Sequence, residues 1–250
     1  MQRFKTRLHR WLDPFLAWPS RRAAKRDLAN LADGDYLLPF EVPYVPQFAS
    51  TEYINDYIHH GYDGTQDPHW RRFGADDPSE YAFWAPRVCA LACLQMGMMA
   101  HNPQLPPTLW QLVQEGLEVG GYRLHDEDGR WIDEGWYFPA QVTLAERYGL
   151  QMQGYSYQSP LAICQHIHEG RLVAAAVSPE LGERKPQSNR YGGHLVLVIG
   201  FRWKQGHPIA YQVHNPSGRY PELQAGAWIP ASRFQQHYAY RFSTLVKLNQ

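Results

Sequence analysis

The sequence predicts an α+β fold in which a helical first half packs on an antiparallel sheet drawn from the second half, and three observations predict it. Helix-forming stretches closed by glycine or by polar residues recur as far as residue 170. Short apolar runs of strand length follow at Leu172–Ser178 and Leu195–Phe201. A glycine turn near Gly206 joins the second run to Ile209–Asn215 as a hairpin. A chain of 250 residues buries a full core as one domain, read here as residues 39–250 behind an N-terminal extension over residues 1–38.

The totals exclude several classes of function. The 24 lysines and arginines balance 24 aspartates and glutamates, so no global field draws the protein to nucleic acid. No apolar run is long enough to span a bilayer, and Asp13 and Pro14 interrupt the first stretch too early for a signal-peptide core. Three cysteines without framework spacing fit a reducing compartment, and the expected location is cytoplasmic.

In chain order, residues 1–35 set Arg3, Lys5, Arg7, Arg10, Arg21, Arg22, Lys25 and Arg26 among Phe4, Leu8, Trp11, Leu12, Phe15 and Leu16. This basic amphipathic pattern fits either contact of residues 1–30 with a membrane surface or a helical arm packed on its own domain. Pro14 and Pro19 favour the arm, because they interrupt the helix an interfacial anchor needs. The prolines of Leu37–Ser50 predict extended chain and feed Gln47 into a loop. Thr51–Glu80 is a polar, aromatic insert that either covers a cleft or fills a core edge, and Asp77 or Ser79 caps the segment after it.

The next helix starts near Pro86, carries Cys89 in its first turns and stops at Asn102–Pro107. Thr108–Leu117 has helical apolar spacing and closes at Gly120-Gly121. The acidic stretch Asp126–Glu134 reads as a solvated loop around Gly129. Helices over Pro139–Tyr148 and Pro160–Glu169 end at Gly149 and Gly170.

Cys89 is the candidate nucleophile. A helix start offers unpaired N–H groups and the positive end of the helix dipole, which predict a stabilised thiolate with a lowered pKa. Counting across the hairpin with Phe201 opposite Pro208 sets His194 opposite Asn215 on one sheet face, where the amide can orient the imidazole. His214, the neighbour of Asn215, then points to the other face. Cys93 lies one turn beyond Cys89, but no CxxC or HxxxH spacing completes a metal site. No metal or cofactor is expected, and Cys93 and Cys164 read as core thiols.

The order Gln47, Cys89, His194, Asn215 is carried by Val42–Ser50, Tyr81–Met96, Gly192–Gly200 and His214–Gly218. On these stretches the chain resembles the peptidase C39-like proteins, relatives of the papain-like cysteine peptidases. The resemblance implies a papain-like fold in which Cys89 attacks, His194 transfers the proton, Asn215 orients His194 and Gln47 donates to the oxyanion. Ala90 stands where the family often has glycine after the nucleophile. The implied activity is that of a cysteine peptidase or related thiol-dependent acyl hydrolase acting on a peptide or amide bond, with a peptide or peptide-like substrate as partner. Acyl transfer by the same thiol, or peptide binding with weak turnover, is the alternative. The leader-peptide substrate of the transporter-fused relatives does not carry over, since membrane and ATP-binding segments are missing from these residues.

Overall fold

A computed structural model describes residues 2–102, 104, 106–187 and 190–248, with backbone alone over residues 2–7. Among these residues seven strands build one antiparallel sheet: β1 (Gly34–Leu37), β2 (Leu150–Ser156), β3 (Leu172–Val177), β4 (His194–Lys204), β5 (His207–His214), β6 (Ala227–Pro230) and β7 (Tyr238–Lys247). Their order is β2-β7-β3-β4-β5-β6, with β1 also bonded to β4. Every residue of β3 is buried, as its unbroken apolar run requires. The sheet is thus α+β as expected, but it is not confined to the second half. β1 comes from the segment read as an extension, and β2, β6 and β7 had no periodicity strong enough to pick out.

β4 organises the sheet. One of its edges pairs with β5 over Leu197–Lys204, while β3 takes residues 194–198 and β1 takes residues 200–203 of the other. Gly200 makes that junction possible: a Cβ there would lie 2.5 Å from the Leu37 side chain and 2.9 Å from the Tyr36 carbonyl oxygen.

The β4–β5 hairpin turns at Gln205-Gly206, both with positive φ, which suits a two-residue turn between twisted strands. Trp203, not Phe201, faces Pro208, so the counted register is off by two residues. Two single-residue irregularities, at Arg202/Trp203 and Val198/Gly200, cancel, and Leu197 faces His214. That register carries Asn215 alongside Val196 rather than His194. An error of two leaves the side-chain alternation intact, so His194 and Asn215 still share a face and meet diagonally.

The helices are α1 (Gln2–Leu16), α2 (Trp18–Asp27), α3 (Ile54–His59), α4 (Pro78–Trp84), α5 (Cys89–His101), α6 (Leu109–Glu118), α7 (Phe138–Arg147), α8 (Pro160–His168) and α9 (Ala231–His237). Their ends follow local chemistry. Asp77 with Glu80, and Thr108 with Gln111, form capping boxes, while Gly149 and Gly170 take positive φ after α7 and α8. Pro14 sits inside α1 rather than ending it, and Pro19 occupies the first turn of α2, where it costs no hydrogen bond. Pro103 and Leu105, in the stop read after α5, lie outside the described residues, as do Ser188 and Asn189 of the loop before β4.

α5 is buried almost all round and packs on β4 and β7, the burial expected of a core helix. No single described helix is long and apolar enough to cross a membrane.

The aromatic insert is tied down by one carboxylate. Asp67, 1% exposed, accepts hydrogen bonds from the Ser50 N–H and hydroxyl, the His69 N–H and the Tyr57 and Tyr81 hydroxyls. Burial pushes its pKa up, but these donors outweigh it and hold the carboxyl below its ordinary value. Tyr57 in turn packs against Phe48, next to Gln47 in the chain. Asp67→Ala would leave these donors buried and unpaired, and should lower unfolding free energy in urea by about 3 kcal/mol or more.

Candidate active site

Cys89 is the first residue of α5, at the corner where α4 and the short turn Ala85–Arg87 meet it at 88°. Val88 supplies no side-chain cap to the N–H groups of this first turn. The Leu195, Ala90 and Cys89 N–H groups point at the sulfur. The Leu195 N–H reaches from the start of β4 toward this sulfur, and His194, the residue before it, lines the same cleft as Cys89.

Burial is nevertheless the largest influence on Cys89 and lifts its pKa above the ordinary thiol value, with the three N–H groups opposing the rise. The expectation of a lowered pKa counted the helix start and left out the loss of water, and it is corrected here. Cys93 and Cys164 are fully enclosed, as read, and burial pushes both up.

His194 is 5% exposed and its Nε2 lies 2.8 Å from Asn215 Oδ1. That oxygen also accepts from the Ser217 N–H at 3.2 Å, which fixes the amide orientation and makes Nε2 the donor. In the neutral ring Nδ1 then keeps its lone pair. Burial, with Arg219 and Arg190 nearby, lowers the His194 pKa to about 4 although the Asn215 bond opposes the shift. Both shifts favour the uncharged forms, thiol and neutral imidazole, over an ion pair.

Asn215 is itself clamped. Its N–H donates to the Gln224 carbonyl, its own carbonyl accepts from the Tyr44 hydroxyl, and the following Pro216 carbonyl accepts from the Gln47 N–H. His214 faces away and uses both ring nitrogens, Nε2 on the Val42 carbonyl and Nδ1 on the Gly226 N–H. It is a structural histidine.

Gln47 reaches this neighbourhood through its backbone. Its side chain is 4% exposed, with Nε2 donating to the Ala85 carbonyl at 3.0 Å and Oε1 lacking a partner. It does not line the open cleft. The structure therefore pairs His194 with Asn215 and sets His194 and Cys89 along one cleft, while Gln47 stays outside that cleft.

The cleft in front of Cys89 and His194 encloses about 720 Å³. Small residues, Ala174 and Ala176 of β3 and Gly154 of β2, leave room along its floor, and Trp136 and Phe138 stand at its wall. Trp136 is held by its indole N–H on the Arg87 carbonyl and fits because position 116 is glycine, where a Cβ would lie 2.4 Å from the ring. Two readings are decided here. The Thr51–Glu80 insert fills a core edge rather than covering the cleft. Asp133 and Glu134, read as part of a solvated loop, line the cleft, and Asp133 pairs with Arg87 and accepts from Tyr122.

Sequence reasoning missed Ser217, whose hydroxyl lies 3.3 Å from His194 Nε2, and the cleft residues Trp136, Arg190 and Arg241. The Asn-Pro-Ser-Gly turn was the available signal for Ser217. None marked the others, which reach the cleft from separate elements.

Burial also lowers the pKa values of His101, His166, His214 and His237. An unfolded histidine titrates near ~6.5, so between that pH and the folded values the unfolded chain binds more protons. Stability should be full above pH ~6.5 and fall as the pH drops toward ~4, His194 alone contributing up to about 3 kcal/mol. Urea unfolding of the native chain and His194→Asn at a series of pH values checks this, with a shallower loss expected for the variant.

Comparison with solved structures follows this geometry. A protein described as a C39-like peptidase from Bacillus anthracis matches with a TM-score of 0.50 at 13% identity, covering 86% of this chain and 99% of its own. The peptidase domain of Streptococcus ComA, described as a bi-functional ABC transporter in a quorum-sensing pathway, matches with a TM-score of 0.41 at 12% identity, over 65% of this chain and 93% of its own. No protein-family model and no curated protein matches the sequence. The likeness to the Bacillus anthracis protein is one of fold: this chain shares the α+β fold of that C39-like peptidase.

Proposed function

We propose that the chain is a cysteine peptidase or related thiol-dependent acyl hydrolase acting on a peptide or amide bond. The observation that carries the reading is the 2.8 Å bond between His194 Nε2 and Asn215 Oδ1, which leaves the Nδ1 lone pair available in a residue that lines the same cleft as Cys89. In the reaction, Nδ1 takes the thiol proton as Sγ bonds to the carbonyl carbon. The tetrahedral intermediate collapses, the C–N bond breaks, and His194 returns the proton to the leaving amine. Water then attacks the thioester with His194 again as base, and the thiol leaves as the acid product forms.

The oxyanion is assigned to the Cys89 N–H at the helix start and to the Gln47 amide, which reaches the cleft only by giving up its bond to the Ala85 carbonyl. A thiol nucleophile works only when reduced, so the proposal carries a reducing compartment with it. Peptide binding with weak turnover is the second reading. It is favoured by the raised thiol pKa and by the Ala85 bond that holds Gln47 back.

A library of fluorogenic peptides tests the pair of readings. Turnover abolished by Cys89→Ala supports hydrolysis, whereas binding without turnover in the native chain selects the second reading. On a substrate so found, Gln47→Ala should lower kcat by roughly 10²–10³ with little change in KM. Because the resting thiol is protonated, alkylation of Cys89 by iodoacetamide should rise only above pH ~8.5, and a plateau extending to pH ~5 would show a preformed ion pair instead.

A further inference from the structure

The neutral chain is electrically divided. Residues 1–27 carry eight lysines and arginines against two aspartates, a net charge of +6, which leaves −6 on the remainder. One of those two acids, Asp13, is buried and accepts from the Tyr191 hydroxyl.

Hydrogen bonds from the Ala17 N–H to the Asp13 carbonyl and from the Arg21 N–H to the Ala17 carbonyl carry helical bonding across the junction of α1 and α2. One face of this unit holds it to the domain. Asp13, Ala17, Ala24 and Leu28 are buried along it, Ser20 Oγ accepts from the Ser159 N–H, and α2 packs on α8. The other face is apolar and open. Leu8, Trp11, Phe15 and Trp18 follow helical spacing and are 44%, 65%, 67% and 57% exposed, with Leu16 beside them at 50%. The Trp11 and Phe15 rings lie 5.5 Å apart, and the Arg22 guanidinium sits 5.5 Å from the Trp18 ring. A monomer gains nothing by holding five large apolar side chains in water.

We propose that this face is an interfacial anchor for an anionic lipid bilayer. Tryptophan, phenylalanine and leucine on one side and long cations around them are what a helix lying at the headgroup boundary requires. The +6 charge selects anionic headgroups. It also disfavours a second copy, because pairing two such faces sets like charges together. Pro14 does not exclude the anchor, since the helical bonding runs past it.

The anchor bears on the cleft. Arg10 donates to the Arg190 carbonyl at 2.7 Å and Tyr191 donates to Asp13, so α1 grips the two residues that precede Gly192-Gly193-His194. Arg190 also lines the cleft. The helix that meets lipid is therefore the one that holds the approach to His194.

Co-sedimentation of the full chain with vesicles tests the proposal without reference to any enzymatic activity. Phosphatidylcholine vesicles containing about 30 mol % phosphatidylserine should pellet the protein, and phosphatidylcholine alone should pellet far less. Trp11→Ala with Phe15→Ala should weaken binding at least about tenfold, with the folded circular dichroism unchanged because both side chains are exposed. Arg21→Glu with Arg22→Glu should weaken it comparably at low salt. Protein that stays in the supernatant with anionic vesicles, or binding that survives both double variants, overturns the proposal. So does a concentration-dependent dimer in sedimentation equilibrium that Trp11→Ala abolishes, since a second copy would then be the occupant.

Discussion

β4 is bonded along both edges, to β5 on one and to β3 and β1 on the other, and its first residue is His194. A strand held in this way has no freedom to slide. The constraint fixes where the Leu195 N–H meets the Cys89 sulfur and where the imidazole enters the cleft. It reaches Asn215 through β5, whose register returns to that of the hairpin turn after two compensating irregularities. Removing one irregularity alone would turn Asn215 to the opposite face, because side chains alternate with period two.

The surroundings of the site set its charge state. A helix start favours a thiolate, and so do three N–H groups aimed at Sγ, yet the loss of water around Cys89 outweighs them. The same loss of water lowers His194 to about 4, with two arginines adding to it. Both effects run against an ion pair at rest. In the proposed reaction, proton transfer is thereby deferred to the moment of attack, and the Asn215 bond supports it by holding the ring with Nδ1 as the acceptor.

Charge is treated differently in two parts of the chain. Away from α1 and α2, acids find partners: Asp133 pairs with Arg87 and Glu183 with Arg219. Over α1 and α2 the cations have few acids near them in sequence, and the aromatic face between them stays bare. Balanced composition hides this division, because a net charge of zero describes the sum and not its distribution.

Local physics made much of this legible in residue order. Proline and glycine positions mark the ends of α7 and α8, the capping residues Asp77 and Thr108 mark helix starts, and strand-length apolar runs mark β3 and β4. These signals act within a turn or a strand. The shared face of His194 and Asn215 survived a wrong register because it depends on parity and not on the exact partner. β7 remained hidden, since it is a mixed run whose burial comes from neighbours distant in sequence. The Cys89 pKa direction, the Ala85 bond that holds Gln47 out of the cleft, and the approach of Asp133, Arg190 and Trp136 to one cleft were likewise decided only in three dimensions. Desolvation and long-range packing depend on which segments meet, and spacing along a chain carries no record of that.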